Sequence, residues 1–340
     1  MKTPFDPSEN GFQAIRCDGH RLQLLDQRLL PQRQRWLALT DLEGVAEAIR
    51  DLAVRGAPAI GITAAYGAVI AAREVSGDPL AWRTGMDRLH RARPTAVNLA
   101  WALEKMRSVP LKQGRLDFAG LMDQARRIHR DDIAANRAMA EAGSRHIGRC
   151  AGVLTHCNTG SLATGGIGTA LGVILAGARS GMIEQVYAGE TRPWLQGARL
   201  TAWELAQAGV AAHVLVDGAA SALMATGRVG WVVVGSDRIA ANGDVANKIG
   251  TYGLAVAARH HGVGFMVVAP QSTVDPVMAN GEGIEIEQRD AGEIWRAAGL
   301  DEQPEGFAAW NPVFDVTPAA LVDCIVTEKG VHRPPYDFTR

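Results

Sequence analysis

In this chain of 340 residues a thiol and a carboxylate each stand just behind a short apolar run. Cys157 lies in Thr155-His156-Cys157-Asn158-Thr159-Gly160, after Gly152-Val153-Leu154. Asp237 lies in Gly235-Ser236-Asp237-Arg238-Ile239, after Trp231-Val232-Val233-Val234. Each run reads as a buried strand, so both groups fall where a strand ends, and in open α/β sheets ligands bind in that crevice. A carboxyl group half-buried beside apolar walls has a raised pKa and can act as acid or base near neutral pH. A thiol close to a helix start is drawn toward thiolate. With glycines following the cysteine, the pair points to acid–base chemistry on a small phosphorylated molecule.

The glycine-rich run Gly160-Ser161-Leu162-Ala163-Thr164-Gly165-Gly166-Ile167-Gly168 fits neither common nucleotide motif. A Walker A loop needs Lys and Ser/Thr after its second framing glycine, where Gly166 and Ile167 stand. A dinucleotide fingerprint counted from Gly166 and Gly168 meets Leu171 where its third glycine belongs. What remains is backbone that can approach a ligand closely and offer N–H groups at a helix start, or else a tight turn with close helix packing. Cys157 has the same two readings, an inert core thiol or a reactive one. His156 is adjacent, so on an extended strand it points to the opposite face. That disfavours a Cys–His nucleophile pair and favours a thiol used for proton transfer. Asp237 is either a cap or turn residue or an acid. Asn242-Gly243 signals a turn, after which Asn247-Lys248 is expected to open a long helix, with Lys248 either holding phosphate or simply exposed.

Two further junctions carry arginine: Arg55-Gly56-Ala57-Pro58 and Arg93-Pro94-Thr95. Glycine or proline fixes the backbone at each, and the guanidinium can fork onto phosphate or cap a helix. A formal net charge of −1 and scattered Lys and Arg give no sign of nucleic-acid binding. The four cysteines contain no CxxC pair, so neither a disulfide framework nor a zinc site is expected. Met1 to Pro7 carry no apolar signal region, and the apolar stretch 59–72 is interrupted by Gly61, Thr63 and Gly67. A soluble, cytoplasmic protein without membrane contact is expected.

The elements that must position these groups fall into two halves. Up to about residue 145 the pattern is mainly helical. Thr40 with Glu43 fits a capping box before Leu42, Val45, Ala46, Ile49 and Leu52. Ala59 to Glu74 predicts a buried helix, Asp78-Pro79 starts a third, and 96–106 and 117–147 supply two more. Leu22–Leu25 and Trp36–Leu39 are candidate short strands. From about 150, β-branched runs at 186–188, 213–216, 231–234 and 265–268 alternate with helix-length segments, which predicts a parallel sheet covered on both faces. The expected organisation is α/β: a smaller, mainly helical N-terminal domain (1–147) and a Rossmann-like parallel-sheet C-terminal domain (148–340).

Seven motifs, in consistent order, together resemble one family. They are Arg55-Gly-Ala-Pro-Ala-Ile-Gly61, Arg93-Pro-Thr-Ala-Val-Asn-Leu99, Thr155-His-Cys-Asn-Thr-Gly160, Glu190-Thr-Arg-Pro193, Gln196-Gly-Ala-Arg-Leu-Thr201, Gly235-Ser-Asp-Arg-Ile239 and Asn247-Lys-Ile-Gly250. This set is similar to the S-methyl-5-thioribose-1-phosphate isomerases of methionine salvage. The resemblance implies a homodimeric aldose–ketose isomerase that interconverts S-methyl-5-thio-α-D-ribose 1-phosphate and S-methyl-5-thio-D-ribulose 1-phosphate, with no metal or nucleotide cofactor. It implies Asp237 as proton donor, Cys157 as the second catalytic group, and substrate contacts from Arg55, Gly56, Ala57, Arg93, Gln196, Asn247 and Lys248. Trp194 is a candidate for an uncharged pocket around the methylthio group. Two alternatives are an isomerase of a related sugar phosphate (5-deoxyribose 1-phosphate or ribose 1,5-bisphosphate) and a non-enzymatic regulatory subunit of a translation-initiation exchange factor. The failed glycine fingerprint argues against a nucleotide-binding oxidoreductase.

Overall fold

A computed structural model of the chain describes residues 12–94, 96–300, 303 and 305–339. The polar start Met1–Pro7 and Thr95 of the Arg93-Pro94-Thr95 junction lie outside the described residues. The chain divides into two compact units, 1–137 with 160–168, and 138–159 with 169–340. The division falls inside the 30-residue helix Phe118–Ile147, ahead of that helix's end. The glycine-rich segment 160–168 groups with the first unit.

The first unit begins with an antiparallel sheet of β1 (Ile15–Cys17), β2 (Leu22–Leu25) and β3 (Trp36–Leu39). Five helices follow: α1 (Leu42–Arg50), α2 (Ala57–Glu74), α3 (Pro79–Arg91), α4 (Val97–Arg107) and α5 (Phe118–Ile147). α2 is apolar on every side and buried from Ala59 to Ala72, as befits a helix surrounded by others. The cap of α1 differs from the expected box: Asp41, one residue after Thr40, accepts the Gly44 N–H at 2.8 Å. A carboxylate beside the helix N-terminus does the work assigned to the threonine. Asp78 caps α3 as expected, accepting the N–H of Leu80 and Ala81.

The second unit alternates strands and helices: β4 (Cys150–Thr155), α6 (Ala170–Arg179), β5 (Ile183–Gly189), α7 (Ala202–Gln207), β6 (Ala212–Leu215), α8 (Ala220–Ala225) and β7 (Trp231–Val234). There follow β8 (Arg238–Ala240), β9 (Val245–Lys248), α9 (Thr251–His261), β10 (Gly264–Val268), β11 (Val274–Asp275), α10 (Gly292–Ala297), β12 (Phe314–Thr317), β13 (Cys324–Thr327) and β14 (Gly330–His332). Seven strands form a sheet in the order β14-β13-β10-β7-β4-β5-β6. All neighbours are parallel except the β13–β14 hairpin at one edge. Consecutive residues are buried along β10 and β13, which requires cover on both faces.

A four-stranded sheet, β11-β8-β9-β12, stands beside it and was not read from the sequence. Its presence corrects the placement of Asn247 and Lys248. They end strand β9, and α9 begins only at Thr251, after Gly250 turns the chain at φ 102°. Among the described residues no helix is long and apolar enough to cross a membrane.

Candidate active site

Within the second unit the chain builds β4, β5 and β6 to one side, then crosses back to lay β7 against the other side of β4. The C-terminal ends of β4 and β7 therefore flank the point where strand order reverses, the place where such sheets bind ligands. Cys157 follows β4 by two residues, and Asp237 follows β7 by three. The pairing Leu154↔Val232 sets the register that brings these two ends level.

Cys157 is 4% exposed and sits in the left-handed region at φ 62°. That conformation costs a non-glycine residue ~1–3 kcal/mol and persists only where its surroundings over-determine it. Here they do. The Cys157 N–H donates to Thr191 Oγ1 at 2.8 Å, and its carbonyl accepts from Thr201 Oγ1 at 2.6 Å. Next to it, Asn158 Nδ2 donates to Glu204 Oε1 at 2.8 Å, all three residues being buried. Burial pushes the Cys324 thiol up to about 12 and raises those of Cys17 and Cys150 as well.

His156 and Cys157 both lie beyond the end of β4, with Cys157 in the left-handed region, so the alternation of strand faces does not relate them, and His156 has partners of its own. Its Nε2 donates to the Ile249 carbonyl at 2.8 Å, and Nδ1 faces Asp217 Oδ1 at 3.9 Å. Burial is the largest influence on this imidazole and lowers its pKa. A carbonyl can only accept, so the neutral ring carries its proton on Nε2. The contact with Asp217 is therefore not an ion pair near pH 7.

Asp237 enters a hairpin. Its N–H donates to the Ala246 carbonyl at 2.9 Å, and Ser236 Oγ donates to the same carbonyl at 3.1 Å. Arg238 pairs with Ala246 in the antiparallel β8–β9 register, so Asp237 stands opposite Asn247. Ser236-Asp237 thus caps no helix. Lys248, the last residue of β9, is buried, with Nζ 4.3 Å from the centre of the Phe314 ring on β12. Asn247 Nδ2 donates to Thr251 Oγ1 at 3.0 Å, tying the strand end to the start of α9. Asp315, paired with Asn247 across β9 and β12, accepts the N–H of Gly250 and Tyr252. Burial pushes its carboxyl up to about 6, against the opposing pull of those donors and of Lys248.

Behind β5, the segment 190–196 leads into a π-helical turn (Gly197–Thr201) continuous with α7. Such turns recur at functional sites. Only glycine fits at 197, because a Cβ there would lie 1.7 Å from the Gly189 carbonyl oxygen. Gln196 is buried and its Oε1 has no hydrogen-bond partner among the described residues, which costs ~1–3 kcal/mol unless a ligand supplies a donor. Gln196 and Lys248 line one small hollow, together with Trp194, Ile249, Arg289 and Asn311. Arg199 stacks on Trp194 with its guanidinium carbon 4.3 Å from the ring centre. The lining mixes apolar, amide and charged groups, so this hollow is not the wholly uncharged pocket expected around Trp194.

The remaining predicted contacts gather in the first unit. Gly56 precedes α2 at φ 92°, and a Cβ there would come within 2.6 Å of Ala163 in the glycine-rich segment. Ala57 is the first residue of α2, and Arg55 is half-buried just before it. Arg93 stands in the turn between α3 and α4. The first turns of α2 and α4 touch, since a Cβ on Gly61 would lie 2.8 Å from the Asn98 carbonyl oxygen. Arg55, Gly56, Ala57 and the 160–168 segment are thus neighbours, with the Arg93 turn leading into the helix packed beside them.

Several organising residues went unread. Two residues of α5 one turn apart clamp the glycine-rich segment: His129 Nε2 meets the Gly165 carbonyl at 2.9 Å, and Asp132 Oδ2 accepts the Gly165 N–H at 2.7 Å. Gln27 Nε2 donates to the Leu162 carbonyl at 2.7 Å. In the second unit Thr191, Thr201, Glu204 and Asp217 organise the ends of β4 and β5. The available signals were Glu190-Thr-Arg-Pro193 and a carboxylate directly after the 213–216 run.

The chain is similar to known proteins over nearly its whole length. The model of the initiation factor 2 subunit family matches residues 53–334. A protein of Thioalkalivibrio sulfidiphilus named methylthioribose-1-phosphate isomerase is 57% identical over 336 residues, covering 98% of this chain and 97% of that protein. Among solved structures, the 5-methylthioribose 1-phosphate isomerase of Pyrococcus horikoshii OT3 superposes with a TM-score of 0.88 at 36% identity, covering 99% of this chain and 97% of that one. A chain described as translation initiation factor eIF-2B, subunit delta, from A. fulgidus superposes with a TM-score of 0.84 at 37% identity, covering 96% and 97%. The chain belongs to the initiation factor 2 subunit family, among its methylthioribose-1-phosphate isomerases.

Proposed function

We propose that the chain is an aldose–ketose isomerase converting S-methyl-5-thio-α-D-ribose 1-phosphate to S-methyl-5-thio-D-ribulose 1-phosphate in methionine salvage. The observation that carries this reading is the pairing of Cys157 and Asp237 at the ends of β4 and β7, where strand order reverses. A phosphate on the anomeric carbon blocks free opening of the sugar to an aldehyde, so opening needs acid help at the ring oxygen. Asp237, in its protonated form, gives that proton. A hydrogen must then pass from C2 to C1. Cys157 takes or stabilises it if the step is a proton transfer through an enol, and shields the path if it is a hydride shift. Gln196 Oε1, buried and without a donor among the described residues, suits a sugar hydroxyl, and Lys248 beside it suits a sugar or phosphate oxygen. Asn247, opposite Asp237, would orient the ring-opened chain. Arg55 and Arg93, with the backbone of Gly56 and Ala57, are proposed as phosphate and sugar contacts.

The competing reading is a non-enzymatic subunit, as the name of the A. fulgidus relative suggests for that protein. A binding scaffold has no use for a strained cysteine held by two hydroxyls, and this observation favours the enzyme. We propose further that the enzyme works as a cytoplasmic homodimer. The exposed edge strand β6, with Val214 45% exposed and Val216 just beyond it 61% exposed, supports an association surface. Appearance of ketose 1-phosphate from methylthioribose 1-phosphate with purified protein tests the activity, and its absence would leave the scaffold reading. Sedimentation tests the dimer.

A further inference from the structure

Three successive parallel strands end in three residues joined by hydrogen bonds. β4 leads to Cys157, β5 to Thr191 and β6 to Asp217. Thr191 Oγ1 accepts the Cys157 N–H at 2.8 Å and donates to the Gly189 carbonyl at 3.2 Å. Both oxygens of Asp217 are in turn used on the Thr191 loop, Oδ1 accepting the Thr191 N–H at 2.9 Å and Oδ2 the Arg192 N–H at 2.7 Å. Thr191 is fully buried, yet it is β-branched and stands at φ 65°. That conformation is a genuine outlier for such a side chain. The strain at Thr191 and the strain at Cys157 are thus parts of one arrangement, held by a carboxylate one strand further along the sheet. Since burial keeps His156 neutral, the Asp217 charge is not spent on that ring and serves the two amides.

We propose that Thr191 and Asp217 are positioning residues for Cys157. Asp217 fixes the left-handed backbone of Thr191, and the Thr191 hydroxyl fixes that of Cys157, so the thiol is presented in one orientation. The inference rests on the catalytic reading of Cys157. A hydroxyl that both accepts and donates is required at 191, which serine supplies and valine does not. A displacement of about 1 Å at a reacting group costs on the order of 10²-fold in rate.

The test uses the full-length protein and the variants Thr191→Ser, Thr191→Val, Asp217→Asn and Cys157→Ser. Two quantities are read: kcat and KM on methylthioribose 1-phosphate, and the iodoacetamide labelling rate of each cysteine by peptide mass. Thr191→Val is expected to lower kcat by about 10²-fold with KM little changed, and to alter labelling of Cys157 while Cys17 and Cys150 label as before. Thr191→Ser restores both quantities. Asp217→Asn, which keeps one acceptor of two, falls between, and it carries the test if Thr191→Val does not fold. Wild-type kcat and Cys157 labelling in Thr191→Val, or a Thr191→Ser variant as impaired as Thr191→Val, would overturn the proposal. The labelling arm needs no turnover. Full activity in Cys157→Ser would therefore refute the catalytic reading separately, while altered labelling in Thr191→Val would still support the positioning role.

Discussion

Asp237 stands opposite Asn247 across the β8–β9 hairpin, its N–H bonded to the Ala246 carbonyl at 2.9 Å. The proposed acid is therefore anchored through its backbone to the strand that also carries Asn247 and Lys248. Asp237→Asn preserves shape and the backbone bond but cannot give up a proton. We expect kcat to fall by ~10²–10⁴-fold, the usual contribution of one proton-transfer group, with substrate still bound. Near-normal kcat in a folded Asp237→Asn protein would remove Asp237 from the acid role.

Cys157 and Cys324 are buried and Cys17 and Cys150 only half-buried, so the reactivity proposed for Cys157 rests on its place behind β4 and not on exposure. With Cys324 pushed up to about 12 and Cys17 and Cys150 raised, all three remain thiols at neutral pH. Alkylation is expected to inactivate the enzyme through Cys157, with substrate protecting it. Cys157→Ser is expected to be severely impaired, because a hydroxyl is a far poorer acid or base near pH 7 than a thiol. Cys17→Ser and Cys150→Ser should keep their activity. Retained activity after complete labelling would contradict the assignment.

Arg55→Ala, Arg93→Ala and Lys248→Ala should each raise KM, and lower kcat too where the contact tightens in the transition state. Lys248 also covers the Phe314 ring, so a stability control belongs beside it. Inhibition by inorganic phosphate should weaken in each variant. An unchanged inhibition constant in all three would sink the phosphate assignment.

Much of this arrangement was legible in the sequence, and the gaps have physical causes. β4, β7 and β10 were legible because central parallel strands are buried on both faces and read as short apolar runs, whereas β5 and the exposed edge strand β6 showed through the β-branched runs at 186–188 and 213–216. β8 and β11, of three and two residues, are too short for any periodicity to show. Without them Asn247-Lys248, behind the Asn242-Gly243 turn, was read as a helix start instead of the end of β9. Cys157 and Asp237 stood out as candidates because each closely follows an apolar run. Thr191 and Asp217 were not, because what they do depends on β4, β5 and β6 lying side by side in that order. His129 and Asp132 were hidden likewise: nothing local to α5 announces a contact with Gly165.

His129 supplies a pH prediction. Its Nε2 proton is given to the Gly165 carbonyl, and Nδ1 lies 3.1 Å from the Tyr66 hydroxyl, which donates to it. Burial lowers its pKa below the ordinary 6.5. Between the folded and unfolded pKa values the unfolded chain binds more protons, so stability rises with pH there. The contribution is complete above about pH 6.5 and is lost as pH falls below it. Tm measured from pH 8 to 5 should therefore drop more steeply in the wild type than in His129→Gln. Equal slopes would show that His129 carries no share of the acid sensitivity.

The most direct test of the central claim is to measure kcat/KM of the purified protein on methylthioribose 1-phosphate beside 5-deoxyribose 1-phosphate and ribose 1,5-bisphosphate. Loss of an apolar group is worth roughly 1–3 kcal/mol, so 5-deoxyribose 1-phosphate should turn over about 10–200-fold less efficiently. The bisphosphate should be rejected far more strongly, since it puts a phosphate, costly to desolvate, in place of the uncharged methylthio group. A bisphosphate kcat/KM equal to or above that for methylthioribose 1-phosphate would contradict the account and assign the enzyme to the other sugar phosphate.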